Sequence, residues 1–207
     1  MTIHAHPDDE SSKGAGSVAL YSDAGVTATL VCCTGGEEGD ILNPAMDRPE
    51  IKENIAKVRQ EELAKAANII GYKRVHYLGY RDSGMPDTEA NKNPDCFANA
   101  PLDEAVGRLV KIIREEKPHV IVTYPDDQQG YQHPDHLKVF DISLPAWEAA
   151  GDPLKFPEFG DPWTPLKLYY TTWSRARIEA LHDMFIKLKI ESPFNDAWFD
   201  RPSQDHR

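Results

Sequence analysis

Two short segments hold the residues able to do chemistry. The first is His4-Ala5-His6-Pro7-Asp8-Asp9-Glu10 and the second is Tyr131-Gln132-His133-Pro134-Asp135-His136. Each sets imidazoles and carboxylates around a His-Pro-Asp turn, and neither brings a thiolate. Neutral imidazole nitrogens and carboxylate oxygens suit a hard-to-borderline divalent ion such as zinc or ferrous iron. A catalytic ion of that kind takes about three protein ligands and leaves a position for water, whose pKa it lowers towards ~7. His6, Asp9 and His136 supply two nitrogens and one oxygen. Asp8 points in a different direction from Asp9 on the same turn and is free to act as a base. His133 is placed to stabilise an oxyanion or to protonate a leaving amine. Asp135 is placed to orient that imidazole or a ligand. His4 lies two residues before His6 on a strand and reads as a packed histidine rather than a ligand. Taken alone, either turn also reads as a plain helix start, because Asp caps helices and Pro opens them. Two such turns, each behind a buried strand, favour the ion site.

The elements that must position these turns alternate. Strands are expected at 1–5, 26–33, 75–78, 119–124 and 166–172. Helices are expected at 11–23, 49–70, 102–117, 134–149 and 174–190, with Ser11 or Ser12 near the first N-cap. Val26 to Cys33 is β-branched and nearly all apolar, as a strand buried on both faces is. Strand and helix in alternation predict an α/β fold with a mostly parallel sheet covered on both faces. In such a sheet, ligands bind at the carboxyl ends of the strands. In the commonest doubly wound order, strands one and four are neighbours, so the two turns face each other across one crevice.

Composition narrows the partners. The chain has 207 residues, with 23 Lys plus Arg against 34 Asp plus Glu, a net charge of −11. That balance argues against nucleic acid and against an anionic membrane surface. No apolar run approaches the ~18 residues of a membrane span. Cys32, Cys33 and Cys96 are too few for a disulfide scaffold, and a reducing cytoplasm is the expected setting. A nucleotide-binding site lacks support, because no Gly-x-Gly-x-x-Gly follows the first strand. His76, His119, His182 and His206 read as structural or surface residues.

The two signatures, Ala5-His6-Pro7-Asp8-Asp9-Glu10 and His133-Pro134-Asp135-His136, resemble those of the LmbE-like (PIG-L) metal-dependent N-deacetylases. The resemblance extends through Thr34-Gly35-Gly36-Glu37, Arg59 with Glu62, and Arg81-Asp82-Ser83-Gly84-Met85. It implies a Rossmann-like three-layer fold and hydrolysis of an amide on a glucosamine nitrogen. Within the family the chain looks most like the mycothiol S-conjugate amidase branch, from Ser11-Ser12-Lys13-Gly14, the stretch 41–51 and Pro165-Leu166-Lys167-Leu168-Tyr169-Tyr170. The alternative is the branch that deacetylates N-acetylglucosaminyl-inositol.

The resemblance implies His6, Asp9 and His136 as ligands of zinc (or ferrous iron) and Asp8 as general base. It implies His133 as the group assisting oxyanion and leaving amine, with Asp135 as its partner and Tyr131 near the reacting carbonyl. Arg59 and Asp82 are expected to hold the glucosaminyl-inositol part of a small-molecule substrate. Glu37 and Lys13 are expected to line the pocket, Lys13 on the acyl side. Blander readings stand beside these: Arg59 paired with Glu62 on a helix surface, Asp82 in an Asx turn, Lys13 solvated in a first helical turn. One LmbE-like domain is expected over 1–207, short by a few residues at its amino end and by a larger segment at its carboxyl end, with its oligomeric state open.

Overall fold

The computed structural model describes residues 1–126, 128 and 131–194; His206 and the polar tail lie outside them. Contacts divide the chain into two compact units, Met1–Thr171 and Thr172–Arg207. In the first, the elements run β1 (Thr2–His4), α1 (Asp9–Ser12), α2 (Ala15–Asp23), β2 (Ala28–Thr34), α3 (Pro49–Lys52), α4 (Ile55–Ile70), β3 (Tyr72–Tyr80), α5 (Leu102–Glu116), β4 (Val120–Thr123), α6 (Pro134–Gly151) and β5 (Lys167–Tyr170). The second unit contains α7 (Arg175–Lys187), whose N-cap Ser174 accepts the Arg177 N–H at 3.2 Å. There His182 Nδ1 meets Ser192 Oγ at 2.8 Å.

The five strands form one parallel sheet in the order β3-β2-β1-β4-β5. The expected adjacency of the first and fourth strands is present, with Thr2 opposite Val122 on one side and Leu30 on the other. The sheet buries both faces. One packs Ile3, Ala5, Val31 and Cys33 against Leu109, Ile113, Val139 and Ile142 of α5 and α6. The other packs Leu30 and Cys32 against Leu63 and Ala67 of α4. Adjacent Cys32 and Cys33 thus enter opposite faces as small buried hydrophobes, and burial raises both thiol pKa values well above normal. Arg114 is buried without a carboxylate partner among the described residues. Its guanidinium instead donates to the carbonyls of Ala149, Ala150, Asp152, Lys155 and Phe156, satisfying the open end of α6. No helix among the described residues is long and apolar enough to cross a membrane.

Several expected boundaries move. The helix expected over 11–23 starts earlier, at Asp9, and breaks at Gly14, whose φ of +101° no helix continues. The helix expected over 49–70 breaks at Glu53 and Asn54. The third strand runs from Tyr72 to Tyr80, longer than the expected 75–78. It is an edge strand, so exposed Lys73 and Arg74 belong to it without the apolar pattern of a buried one.

Candidate active site

β1 ends at His4, and the chain turns at Pro7-Asp8 before Asp9 opens α1. Asp8 has a φ of +110°, unusual for a residue with a side chain and costing on the order of 1–3 kcal/mol. Buried Glu10 holds this turn: its Oε2 accepts the Asp8 N–H at 2.8 Å and its Oε1 accepts the Ser11 hydroxyl at 2.6 Å. Across the crevice, His133 caps α6. Its Nδ1 accepts the Asp135 N–H at 3.2 Å, which fixes the neutral ring with its hydrogen on Nε2.

His6, Asp9 and His136 are all buried, and their donor atoms lie within 4.8 Å of one another. His6 Nδ1 and His136 Nε2 each lie 3.5 Å from the same oxygen, Asp9 Oδ2. At that length neither contact is a good hydrogen bond. It is, however, the spacing of atoms sharing one ion, since four-coordinate bonds of about 2.1 Å place neighbouring ligands about 3.4 Å apart. Asp9 Oδ2 also accepts the His6 N–H at 2.9 Å, which fixes the carboxylate. The second nitrogen of His6 meets Asp135 Oδ2 at 3.1 Å. A ligating imidazole held by a carboxylate on its other nitrogen is the usual arrangement around a metal. The residues present therefore fit a divalent ion. His6, Asp82, His133 and Asp135 form a second cluster of comparable span. Asp135, however, is 0% exposed and does not line the cleft, whereas His6, Asp9 and His136 all do.

The buried groups of the site shift one another's charge. Burial opposes charge on His6, but the carboxylates of Asp135, Asp82 and Asp9 around its ring outweigh it and raise its pKa well above normal. Burial likewise opposes charge on Asp9, yet His136 and His6 hold its carboxyl well below the usual range. Asp8 moves the other way, raised by burial and by the charge of Asp9, against the pull of Arg59. Burial and the charge of His6 push His133 down to about 4.

The site residues expected from sequence, other than Asp135 and Glu37, line one cleft of about 730 Å³, and three of the expected residues have partners other than those expected. Arg59 does not pair with Glu62. Its Nη2 donates to Asp8 Oδ2 at 2.6 Å and to Pro7 O, and its Nη1 donates to Gly36 O at 2.7 Å. Gly36 has φ +68° and lies so close to the guanidinium that a side chain would collide with it. The Asp135 carboxylate holds His6 and Ser83 rather than the His133 ring; Ser83 donates to it through both its N–H (3.0 Å) and its hydroxyl. Lys13 places its ammonium on Asp9 Oδ1.

Asp82 lines the cleft and also makes the Asx contact, accepting the Gly84 N–H at 2.9 Å. Glu37 accepts the Asp82 N–H at 2.9 Å and borders a neighbouring pocket instead of the main cleft. Tyr131 is half exposed at the rim, its ring 5.6 Å from that of His136. His4 is packed as expected, with Nδ1 3.1 Å from the Tyr124 hydroxyl and a pKa pushed down to about 4 by burial. His76 meets Glu116 at 2.9 Å and His119 packs edge-on to Trp163. Sequence reasoning gave no role to Glu10, Ser83 or Tyr124. Glu10 stands inside the first motif, and a carboxylate two residues after a strained Asp is the available signal. The cleft is also lined by Ile41, Leu42, Met46, Ile51, Ile55 and Val58.

Replacing Asp135 should loosen the ion without removing a ligand. Asp135→Ala is expected to weaken divalent-ion affinity about 10–100-fold, read by competition with a chromophoric chelator. Unchanged affinity would mean that His6 is oriented by other contacts.

Residues 1–147 match the family model described as PIG-L: GlcNAc-PI de-N-acetylase. The chain is 45% identical over 213 residues to a mycothiol S-conjugate amidase from Streptomyces coelicolor, covering 100% of this chain and 72% of that protein. It is 43% identical over 180 residues to 1D-myo-inositol 2-acetamido-2-deoxy-alpha-D-glucopyranoside deacetylase 1 from Catenulispora acidiphila, covering 83% of this chain and 54% of that one. Its fold resembles that of the N,N'-diacetylchitobiose deacetylase from Pyrococcus horikoshii, with a TM-score of 0.67 at 22% identity over 97% of this chain and 72% of the other. The family match over most of the chain, together with relatives at this level of identity, places the chain in the PIG-L (LmbE-like) de-N-acetylase family.

Proposed function

We propose that the chain hydrolyses the amide on a glucosamine nitrogen, using a divalent ion, zinc or alternatively ferrous iron. The observation that carries this reading is the placement of Asp8 beside the His6, Asp9 and His136 donors in one cleft. A divalent ion held by those three residues supplies carbonyl polarisation and acidification of water. Asp8, steadied by Arg59, takes a proton from the attacking water. His133, neutral with its hydrogen on Nε2, donates towards the developing oxyanion, and Tyr131 approaches the carbonyl from the rim. The water oxygen ends on the acyl carbon, the C–N bond breaks, and the leaving nitrogen gains the proton that Asp8 took from the water. Asp82 and Arg59 contact the sugar, and Glu37 supports the Asp82 loop. All these residues lie in Met1–Thr171, the unit we assign as the hydrolytic domain.

The substrate we propose is a mycothiol S-conjugate, cleaved to a mercapturic acid and glucosaminyl-inositol in the cytoplasm. The apolar wall formed by Ile41, Leu42, Met46 and Ile51 offers more surface than an acetyl group needs. The relative matched over the whole chain bears the amidase name. A neutral pseudodisaccharide also suits a chain of net charge −11, and three buried free cysteines suit a reducing compartment. The second reading, deacetylation of N-acetylglucosaminyl-inositol, rests on the similarity to the Catenulispora deacetylase. Turnover of a mycothiol bimane conjugate and of the N-acetylated precursor should be measured side by side. The conjugate is expected to give the higher kcat/KM; faster turnover of the precursor would overturn the amidase reading.

A further inference from the structure

The Asp9 carboxylate is divided. Its Oδ2 faces His6 Nδ1 and His136 Nε2, each at 3.5 Å, and its Oδ1 is paired with the Lys13 ammonium. The backbone sets up this pairing. Lys13 stands four residues after Asp9, its N–H bonds Asp9 O at 2.8 Å, and Gly14 then ends the turn, so the two side chains lie on one face of α1. The Lys13 side chain is 19% exposed. Its ammonium lies 5.5 Å from the centre of the Tyr124 ring, and its other polar contact is Ser12 Oγ at 3.5 Å. A cation this far withdrawn from water needs an anion, and Asp9 Oδ1 provides it.

Resting on the assignment of His6, Asp9 and His136 as ligands, we propose that Lys13 is a positioning residue that restricts Asp9 to one ligating oxygen. A carboxylate has two equivalent oxygens and binds an ion through one or both. With Oδ1 held by Lys13, only Oδ2 is available to the ion. The position that Oδ1 would fill stays open for water or the substrate carbonyl. The ammonium also opposes the ion's charge, so the site gives up affinity to keep an open position. The Lys13 ammonium is thereby committed to the protein rather than to the acyl side of a substrate.

The test uses cobalt(II), whose visible absorption weakens as its coordination number rises. Lys13→Met is expected to bind cobalt tighter by on the order of tenfold, because a nearby positive charge is lost and a second oxygen is freed. Its visible band should be weaker and its kcat lower. Lys13→Arg, which keeps the charge and a donor, should keep the cobalt affinity and the visible band of the unmodified chain. Unchanged or weaker cobalt binding in Lys13→Met, with an unaltered spectrum, would overturn the proposal while leaving the ligand assignment intact. Failure of the unmodified chain to bind cobalt would overturn both.

Discussion

Asp8→Asn is expected to lower kcat by about 10²–10⁴-fold while the chain keeps one divalent ion. Asparagine has nearly the same shape and tolerates positive φ better than most residues, so the +110° turn is kept. The Asp8 N–H still reaches Glu10, and an amide oxygen still accepts from Arg59. What is lost is the ability to take a proton. Because Asp8 lies outside the His6, Asp9 and His136 group, ion content should not fall with activity. Steady-state kinetics paired with metal analysis reads both. Undiminished turnover would mean that another group activates the water, with His133 the first to examine.

His136→Ala is expected to have the opposite signature, losing ion and activity together. His136 is buried at the first turn of α6, and its Nε2 is one of two nitrogens near Asp9 Oδ2. His133 is close, with ring centroids 5.2 Å apart, but its Nδ1 is occupied as the helix cap, so it is poorly placed to substitute. With one of three ligands gone, affinity should fall by at least about 10³-fold, and hydrolysis should fall to background after gel filtration in metal-free buffer. Retention of stoichiometric ion by His136→Ala would show that the ion binds elsewhere, and the His6, Asp82, His133 and Asp135 cluster would then be the alternative.

The placement of the two clusters was legible because it depends on punctuation. A buried strand, a His-Pro-Asp turn and a helix recur twice, and the parallel order brings β1 and β4 side by side. What could not be read are pairings between side chains from different segments. Arg59 is expected from sequence to hold substrate, with a pairing to Glu62 as the blander reading, and α4 brings it to the turn at Pro7 and Asp8. Asp135 is expected from sequence to orient either His133 or a ligand; the helical turn directs its carboxylate to the proposed ligand His6 and to Ser83, and its backbone N–H meets the His133 ring. Lys13, expected at the pocket, does line the cleft, but its ammonium is turned onto Asp9. Local rules decide which groups share the cleft; the path of each turn decides which groups hold one another.

The proposed dependence of amide hydrolysis on a single ion held by His6, Asp9 and His136 is tested most directly by titrating zinc into chelator-treated protein while following bound ion and turnover of the mycothiol bimane conjugate together. Turnover is expected to be absent at the start, to rise in proportion to bound zinc, and to level off at one ion per chain. Turnover in the fully chelated protein, or a plateau unrelated to one bound ion, would contradict the account.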